Sequence, residues 1–256
     1  QLKMESPATT DVSVLQKLAV RFKLQGTADA VAIDDLQITL DDSLIKGYVH
    51  VKQFKQPAID FNLAIDAINV DRYTPPEKEQ PKATPVASPA TAVAAATTLI
   101  PVETIRSLNL TGNLLIEQLQ VAKLKMAKVN LNVQAKQGVL RTKQSIKQLY
   151  QGSYHGQIRV NAARNTPTIT LNEKISHVQL EPLLQDMQPN APAQITGAAN
   201  ITAKLAMRGN TVAAIKASLG GDVAFKLKKS AILGFNMQEI IDLGKLAVGG
   251  KSIQQN

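Results

Sequence analysis

Apolar and polar residues alternate with a period of two over much of this chain, and that alternation commits it to β-structure. Leu18, Val20, Phe22 and Leu24 are separated by Ala19, Arg21 and Lys23. Leu36, Ile38 and Leu40 repeat the pattern, as do Ile59, Phe61, Leu63 and Ile65. Further along come Val129, Leu131 and Val133, then Ile201, Ala203, Leu205 and Met207, and finally Val223, Phe225 and Leu227. Glycines at 26, 47, 112, 138, 156, 197, 209 and 220–221 read as turns between the runs. The expected fold is mainly β: a large antiparallel, curved or groove-like sheet with one apolar face and a few short helices.

The helical expectations are brief. Pro101–Leu108 opens on a proline suited to a first helical position. Glu181–Met187 fits a turn or two, and Phe235–Val248 places Met237, Ile240, Ile241 and Leu243 on one side. The stretch Leu114–Met126 fits neither period cleanly.

From Thr74 to Thr98 the chain is rich in Pro, Ala and Thr and has no period, which reads as a tether or long loop. It separates a β-rich part, residues 1–73, from a second β domain, residues 99–250, with a tail at 251–256. The two parts share an internal repeat. Gly47–Tyr73 and Gly156–Leu183 align with one inserted residue, Pro57 on Pro167, Ile59 on Ile169, Ile65 on Ile175 and Ile68 on Val178. Each unit reads as strand, proline turn, strand, then an acidic residue opening a short crossing segment.

Composition narrows function mainly by exclusion. Aromatic residues are 4% of the chain and Trp is absent, so any core is aliphatic. With no cysteine there is no disulfide, thiolate nucleophile or Cys-based metal site. The formal charge of +9 suits an anionic membrane surface or a solvated basic one. Nucleic acid is not expected: lysines alternate with apolar residues, as in Lys123-Leu124-Lys125-Met126, and do not gather with aromatics for base stacking. No apolar run reaches the roughly 18–20 residues that cross a bilayer. The chain starts at Gln1 with no signal peptide in view, as expected of an excerpt or processed product.

Enzyme chemistry finds no foothold in the pattern. His50, His155 and His177 lack ligand spacing and read as surface or hydrogen-bonded groups. Gly152-Ser-Tyr-His-Gly156 is not a nucleophile elbow, because Ser follows the first Gly directly, and reads as a hairpin turn. Asp34-Asp35 and Asp41-Asp42 read as caps at strand ends. No catalytic residue, metal or cofactor is expected.

Several motifs in order carry a family resemblance. They are Pro101-Val-Glu-Thr-Ile-Arg-Ser-Leu-Asn-Leu-Thr-Gly-Asn-Leu, Gly138-Val-Leu, Leu149-Tyr-Gln-Gly-Ser-Tyr-His-Gly, Leu180-Glu-Pro-Leu-Leu, Ile195-Thr-Gly and Ile232-Leu-Gly-Phe-Asn. With Ile65-Asp-Ala-Ile-Asn-Val-Asp-Arg-Tyr ahead of them, the chain from about Leu36 onward resembles the C-terminal region of AsmA-type proteins. The resemblance implies an inner-membrane anchor outside this sequence, a periplasmic body, a part in outer-membrane biogenesis and an apolar β groove that shields acyl chains.

A sheet with one apolar face must cover it, and three short helices are too few to do so. Either the sheet folds over itself as a closed sandwich or a ligand fills the groove. On the second reading the lining comprises Leu36, Ile38, Leu40, Ile59, Phe61, Leu63, Val129, Leu131, Val133, Ile201, Leu205, Val223, Phe225 and Leu227, with Lys226, Lys228 and Lys229 meeting headgroups. The expected partner is a phospholipid or other membrane lipid. Outer-membrane or envelope proteins are the second class, for a scaffold or chaperone-like module.

Overall fold

The structure is a computed structural model and describes residues 9–76, 98–189 and 195–228. Eleven strands form one sheet in sequence order: β1 (Leu18–Gly26), β2 (Ala30–Leu40), β3 (Ser43–Lys52), β4 (Ala58–Asn69), β5 (Asn109–Val121), β6 (Leu124–Lys136), β7 (Val139–Leu149), β8 (Gly152–Asn161), β9 (Thr168–Gln179), β10 (Ala198–Arg208) and β11 (Gly220–Lys228). The first and last strands do not pair, so the sheet is open and not a barrel. Among the described residues three short helices accompany it: α1 (Val102–Ser107), α2 (Leu180–Met187) and α3 (Val212–Ser218). No helix among the described residues is long and apolar enough to cross a membrane.

The mainly β fold is as expected, a large and predominantly antiparallel sheet that is mixed through a single parallel pair. β4 and β5 run parallel, from Ala58 beside Asn109 to Asn69 beside Gln120, while every other pair is antiparallel. A parallel neighbour requires the chain to return from one end of the sheet to the other, which takes a dozen or more residues. Between β4 and β5 the sequence has 39 residues, 70–108, enough for that return. Residues 77–97 of the Pro/Ala/Thr-rich tract lie outside the described residues, as does the expected helix Phe235–Val248.

The repeat has a structural counterpart. β3 and β4 form an antiparallel hairpin that ends in the 3-10 turn Val70–Tyr73, and β8 and β9 form one that ends in α2. Both helical segments sit at the same end of the sheet, here called the upper end, with the turns at Asp41-Asp42, Ala122-Lys123 and Tyr150-Gln151. Ala122, Lys123, Tyr150 and Gln151 all have positive φ, the two-residue geometry that suits the twist of a hairpin. Without Gly or Asn to ease it, the Ala122-Lys123 turn is held by Asp71, whose carboxylate accepts both amides at 2.5 and 2.8 Å.

A crease crosses the sheet near this end and explains why Leu114–Met126 fits neither period. The ladder skips Asp66, Glu117, Lys128 and Lys147 on four adjacent strands, and Lys128 has φ 55°. Apolar positions slip by one residue there, from Ile65 to Ile68, Ile116 to Leu119, Val129 to Met126 and Ile146 to Leu149. The Asp66 carboxylate takes over one ladder amide, accepting from Leu44 N at 2.8 Å.

Asp34-Asp35 is not a strand end. Asp35 has φ 50° and sits in a bulge within β2, where the pairing with β3 shifts between Ile33 and Leu36. Gly152–Gly156 likewise belongs to β8, and the turn comes one step earlier. Gly47, Gly112 and Gly156 are mid-strand, not in turns. α3 was not foreseen; its signal was Thr211, whose hydroxyl accepts from Ala214 N at 3.2 Å as an N-cap ahead of a helix-favouring Val-Ala-Ala-Ile run.

The upper end is clamped onto the N-terminal segment. Arg72 donates to Asp11 at 2.7 Å and to Asp42 at 3.1 Å, and the Asp41 carboxylate accepts from the amides of Leu15, Gln16 and Lys17 and from the Tyr73 hydroxyl. Hydrogen bonds from the Ser13 hydroxyl and amide, and then from Arg72, hold the Asp11 carboxyl at about 2. A carboxyl lowered in the fold stabilises it above the ordinary value near 4 and ceases to as pH falls through the folded value. The clamp is therefore expected to persist from neutral pH to about pH 4 and to release between about pH 4 and 2. An NMR titration of the Ser13 amide checks this; release above about pH 5 contradicts it.

Candidate functional site

The pairing registers put the apolar residues into rows that run across the strands on one face. One row passes through all eleven strands: Val20, Ile38, Ile45, Ile65, Ile116, Val129, Ile146, Tyr154, Ile175, Ile201 and Phe225. The next is Leu36, Gly47, Leu63, Leu114, Leu131, Gln144, Gly156, Glu173, Ala203 and Val223. A third runs from Leu24 and Ile33 through Val49, Phe61, Gly112, Val133, Thr142, Ile158, Leu171 and Leu205 to Gly221. The fourth links Gly26, Val31, Val51, Ile59, Leu110, Ala135, Leu140, Val160, Ile169 and Met207. At strand spacings of about 4.8 Å and residue rises near 3.4 Å, these rows span roughly 48 Å by 20 Å.

All fourteen residues expected to line the apolar face lie on it. Leu40, opposite Leu18 and Ser43, continues beyond Ile38, and Leu227, opposite Ala199, continues beyond Phe225. The bulge at Asp35 keeps Ile33 and Leu36 on the same face despite their odd spacing. Lys226 and Lys228 stand on the opposite face of β11, where they pair with Asn200 and Ala198, and so do not share a face with Phe225 and Leu227. Lys229 lies outside the described residues. The opposite face carries a polar row beside these, Tyr48, Asn62, Asn113, Asn132, Lys143, Gln157, Asn172, Lys204 and Asp222.

Among the described residues the apolar face has no second layer of strands across it. Most of its side chains are half-buried, with Leu36 and Ile116 at 8% exposure among the few that are fully covered. Toward the edges the cover fails: Leu18 is 69% exposed, Leu24 62%, Val223 60% and Phe225 59%. The lower end is the exception. There Ile100 and Ile105 pack with Ala162 against Leu140, Val160 and Ile169, so α1 closes that end of the apolar rows. Arg106 fixes α1 by donating to the carbonyls of Ala162 at 2.8 Å and Arg164 at 3.1 Å, and Asn210 brackets the Ile100 backbone.

At the upper end a cavity of about 640 Å³ opens between Arg72 and Tyr73 on one side and Tyr150 and Gln151 on the other. Ile68, Leu119 and Met126 contribute apolar lining and Gln118, Gln120 and Gln148 polar lining. Both of its basic residues are ion-paired, Arg72 as above and Lys125 with Asp186 at 3.0 Å. The Tyr150 hydroxyl donates to Asp186 at 2.8 Å and accepts from Lys125 N at 3.0 Å. Its pKa is raised by burial and by Asp186, against the Lys125 amide.

Among the described residues no three His, Asp or Glu side chains converge as a metal site. His50 pairs with Asp34 at 2.8 Å and stacks on Tyr48, while His155 and His177 are exposed strand residues. The arrangement offers a long aliphatic surface and little directed polar chemistry. A model of the AsmA family matches residues 2–253, which is nearly the whole chain and more than the stretch from Leu36 that carried the resemblance. The chain belongs to the AsmA family. No curated protein and no solved structure matches it. Membership of the AsmA family points to envelope and outer-membrane biogenesis as the setting.

Proposed function

We propose that this AsmA-family chain is a non-enzymatic, periplasmic part of an inner-membrane-anchored protein that holds or passes phospholipid acyl chains along its apolar sheet face. The observation that carries the reading is the set of four apolar rows, which no second layer covers among the described residues. A monomeric soluble protein rarely exposes a contiguous apolar patch above a few hundred Å², and one this long marks a binding surface. Burying an acyl chain contributes about 0.8 kcal/mol per CH₂, so aliphatic lining alone supplies binding on the order of 10 kcal/mol. Purification from an envelope-bearing host, followed by lipid extraction and mass spectrometry, is expected to find phospholipid in stoichiometric amount. A lipid-free protein that also takes up no labelled phospholipid ends the proposal.

The two edge strands favour a second reading. β1 is exposed along its whole length and β11 along nearly all of it, and among the described residues each presents an unpaired backbone edge with apolar side chains. Such edges add strands from other chains. A scaffold or chaperone role in outer-membrane protein assembly predicts a co-purifying polypeptide that proline substitutions in β1 or β11 release, with no dependence on the central rows.

A further inference from the structure

Four side chains break the otherwise apolar rows, and all lie on β7, β8 and β9: Thr142, Gln144, Tyr154 and Glu173. Glu173 is the single charged residue on those rows, and no basic side chain shares the face with it there. The Tyr154 hydroxyl donates to Glu173 Oε2 at 2.5 Å. Their contact lies directly over Gly156, where a Cβ would collide with both partners. On the other side of Gly156, Gln144 Nε2 donates to Thr142 Oγ1 at 2.6 Å, while Gln144 Oε1 is buried with no partner among the described residues. Burial and the Glu173 carboxylate push the Tyr154 pKa upward, so its proton stays committed to that hydrogen bond.

The free acceptors of the cluster, the Glu173 carboxylate and Gln144 Oε1, therefore outnumber its free donors, the Thr142 hydroxyl and the second Gln144 N–H. The cluster shows a ligand one carboxylate and one unpaired amide oxygen, within a surface that otherwise offers only hydrocarbon. Unpaired buried acceptors and an unbalanced charge are costly, and a cationic donor relieves both. A primary ammonium carried by an acyl chain satisfies the charge, the lone pairs and the apolar rows together. We infer that Glu173, with Gln144, is a headgroup-reading station that favours aminophospholipids of the ethanolamine type over anionic, glycerol-headed ones.

This rests on the lipid-holding reading above, and the test separates the two. The full chain is offered phosphatidylethanolamine, phosphatidylcholine and phosphatidylglycerol, each labelled in the acyl chain so that the headgroup is untouched. The intact protein is expected to prefer the ethanolamine lipid over the glycerol lipid about tenfold, the scale of one charge-assisted hydrogen bond. Glu173→Gln, nearly the same shape, should bring the two within about twofold while choline-lipid uptake is unchanged. Tyr154→Phe leaves the carboxylate in place without its donor, so the preference should hold or grow. Equal uptake of ethanolamine and glycerol lipids by the intact protein, a preference that survives Glu173→Gln, or its loss in Tyr154→Phe overturns the station but leaves acyl-chain holding intact. Displacement of bound lipid by free ethanolamine assigns the site to a soluble amine and also overturns it. Uptake of none of the three lipids removes the underlying reading, and the station with it.

Discussion

Gly47→Ala is expected to lower the melting temperature by roughly 10 °C. Gly47 lies in the middle of β3, opposite Leu36 and Leu63, with φ 149°, a conformation that L side chains rarely adopt. A Cβ there would run into the Asn62 carbonyl oxygen, with the Asn62 carbonyl carbon at 2.9 Å and Leu63 Cα at 3.0 Å. These are backbone atoms of the paired strand, and they cannot move aside without opening the β3–β4 ladder. Backbone strain and overpacking each cost on the order of 1–3 kcal/mol, about 3–4 together. In a protein of this size each kcal/mol shifts the melting point by about 2–4 °C. Gly220→Ala is the control, because nothing lies within 4 Å of its added methyl and its φ is ordinary. Gly112→Ala falls between them, since the atoms nearest its Cβ belong to the Phe61 ring, a side chain that can rotate. Far-UV circular dichroism melts of the three variants check the order; Gly47→Ala melting with Gly220→Ala would show that the β3–β4 pairing tolerates the change.

The same glycines mark where the sequence was legible and where it was not. Alternation identifies a strand and its apolar face because side-chain direction has a period of two, and every residue selected that way lies on one face of the sheet. Alternation is silent on neighbours. A strand reads the same beside a parallel or an antiparallel partner, so alternation alone does not reveal that β4 and β5 pair in parallel. Mid-strand glycines were read as turns because a turn and a close approach both require the absence of a Cβ; only the ring of Phe61 above Gly112, or Tyr154 and Glu173 above Gly156, tells them apart. The crease was visible as a slipped period in Leu114–Met126, but alternation has no means of distinguishing a bend from a helix. Thr142, Gln144 and Glu173 were passed over because polar residues at inward positions simply weaken a pattern search. Their inward parity beside Leu140, Ile146, Leu171 and Ile175 was nevertheless present in the chain.

Leu63→Gln with Leu131→Gln is expected to reduce acyl-chain uptake by roughly 10- to 100-fold while leaving the fold intact. Both leucines stand on the second row, to either side of Leu114, where a chain lying across the central strands would touch both. Each exchange removes aliphatic contact and adds an amide that must lose water when lipid arrives, a penalty of about 1–2 kcal/mol per site. The fold is expected to tolerate it, because the same row already carries Gln144 and both positions are only half-buried. Asn62→Gln with Asn132→Gln places the same group on the polar face, one residue away along the same two strands. If the apolar rows hold lipid, only the first pair impairs uptake of acyl-labelled phosphatidylcholine, whose choline headgroup donates no hydrogen bond to Glu173. If the face is instead an edge-strand scaffold, both double variants retain whatever partner the intact protein brings down. Equal uptake by the two variants means that the central rows are not where the acyl chain lies.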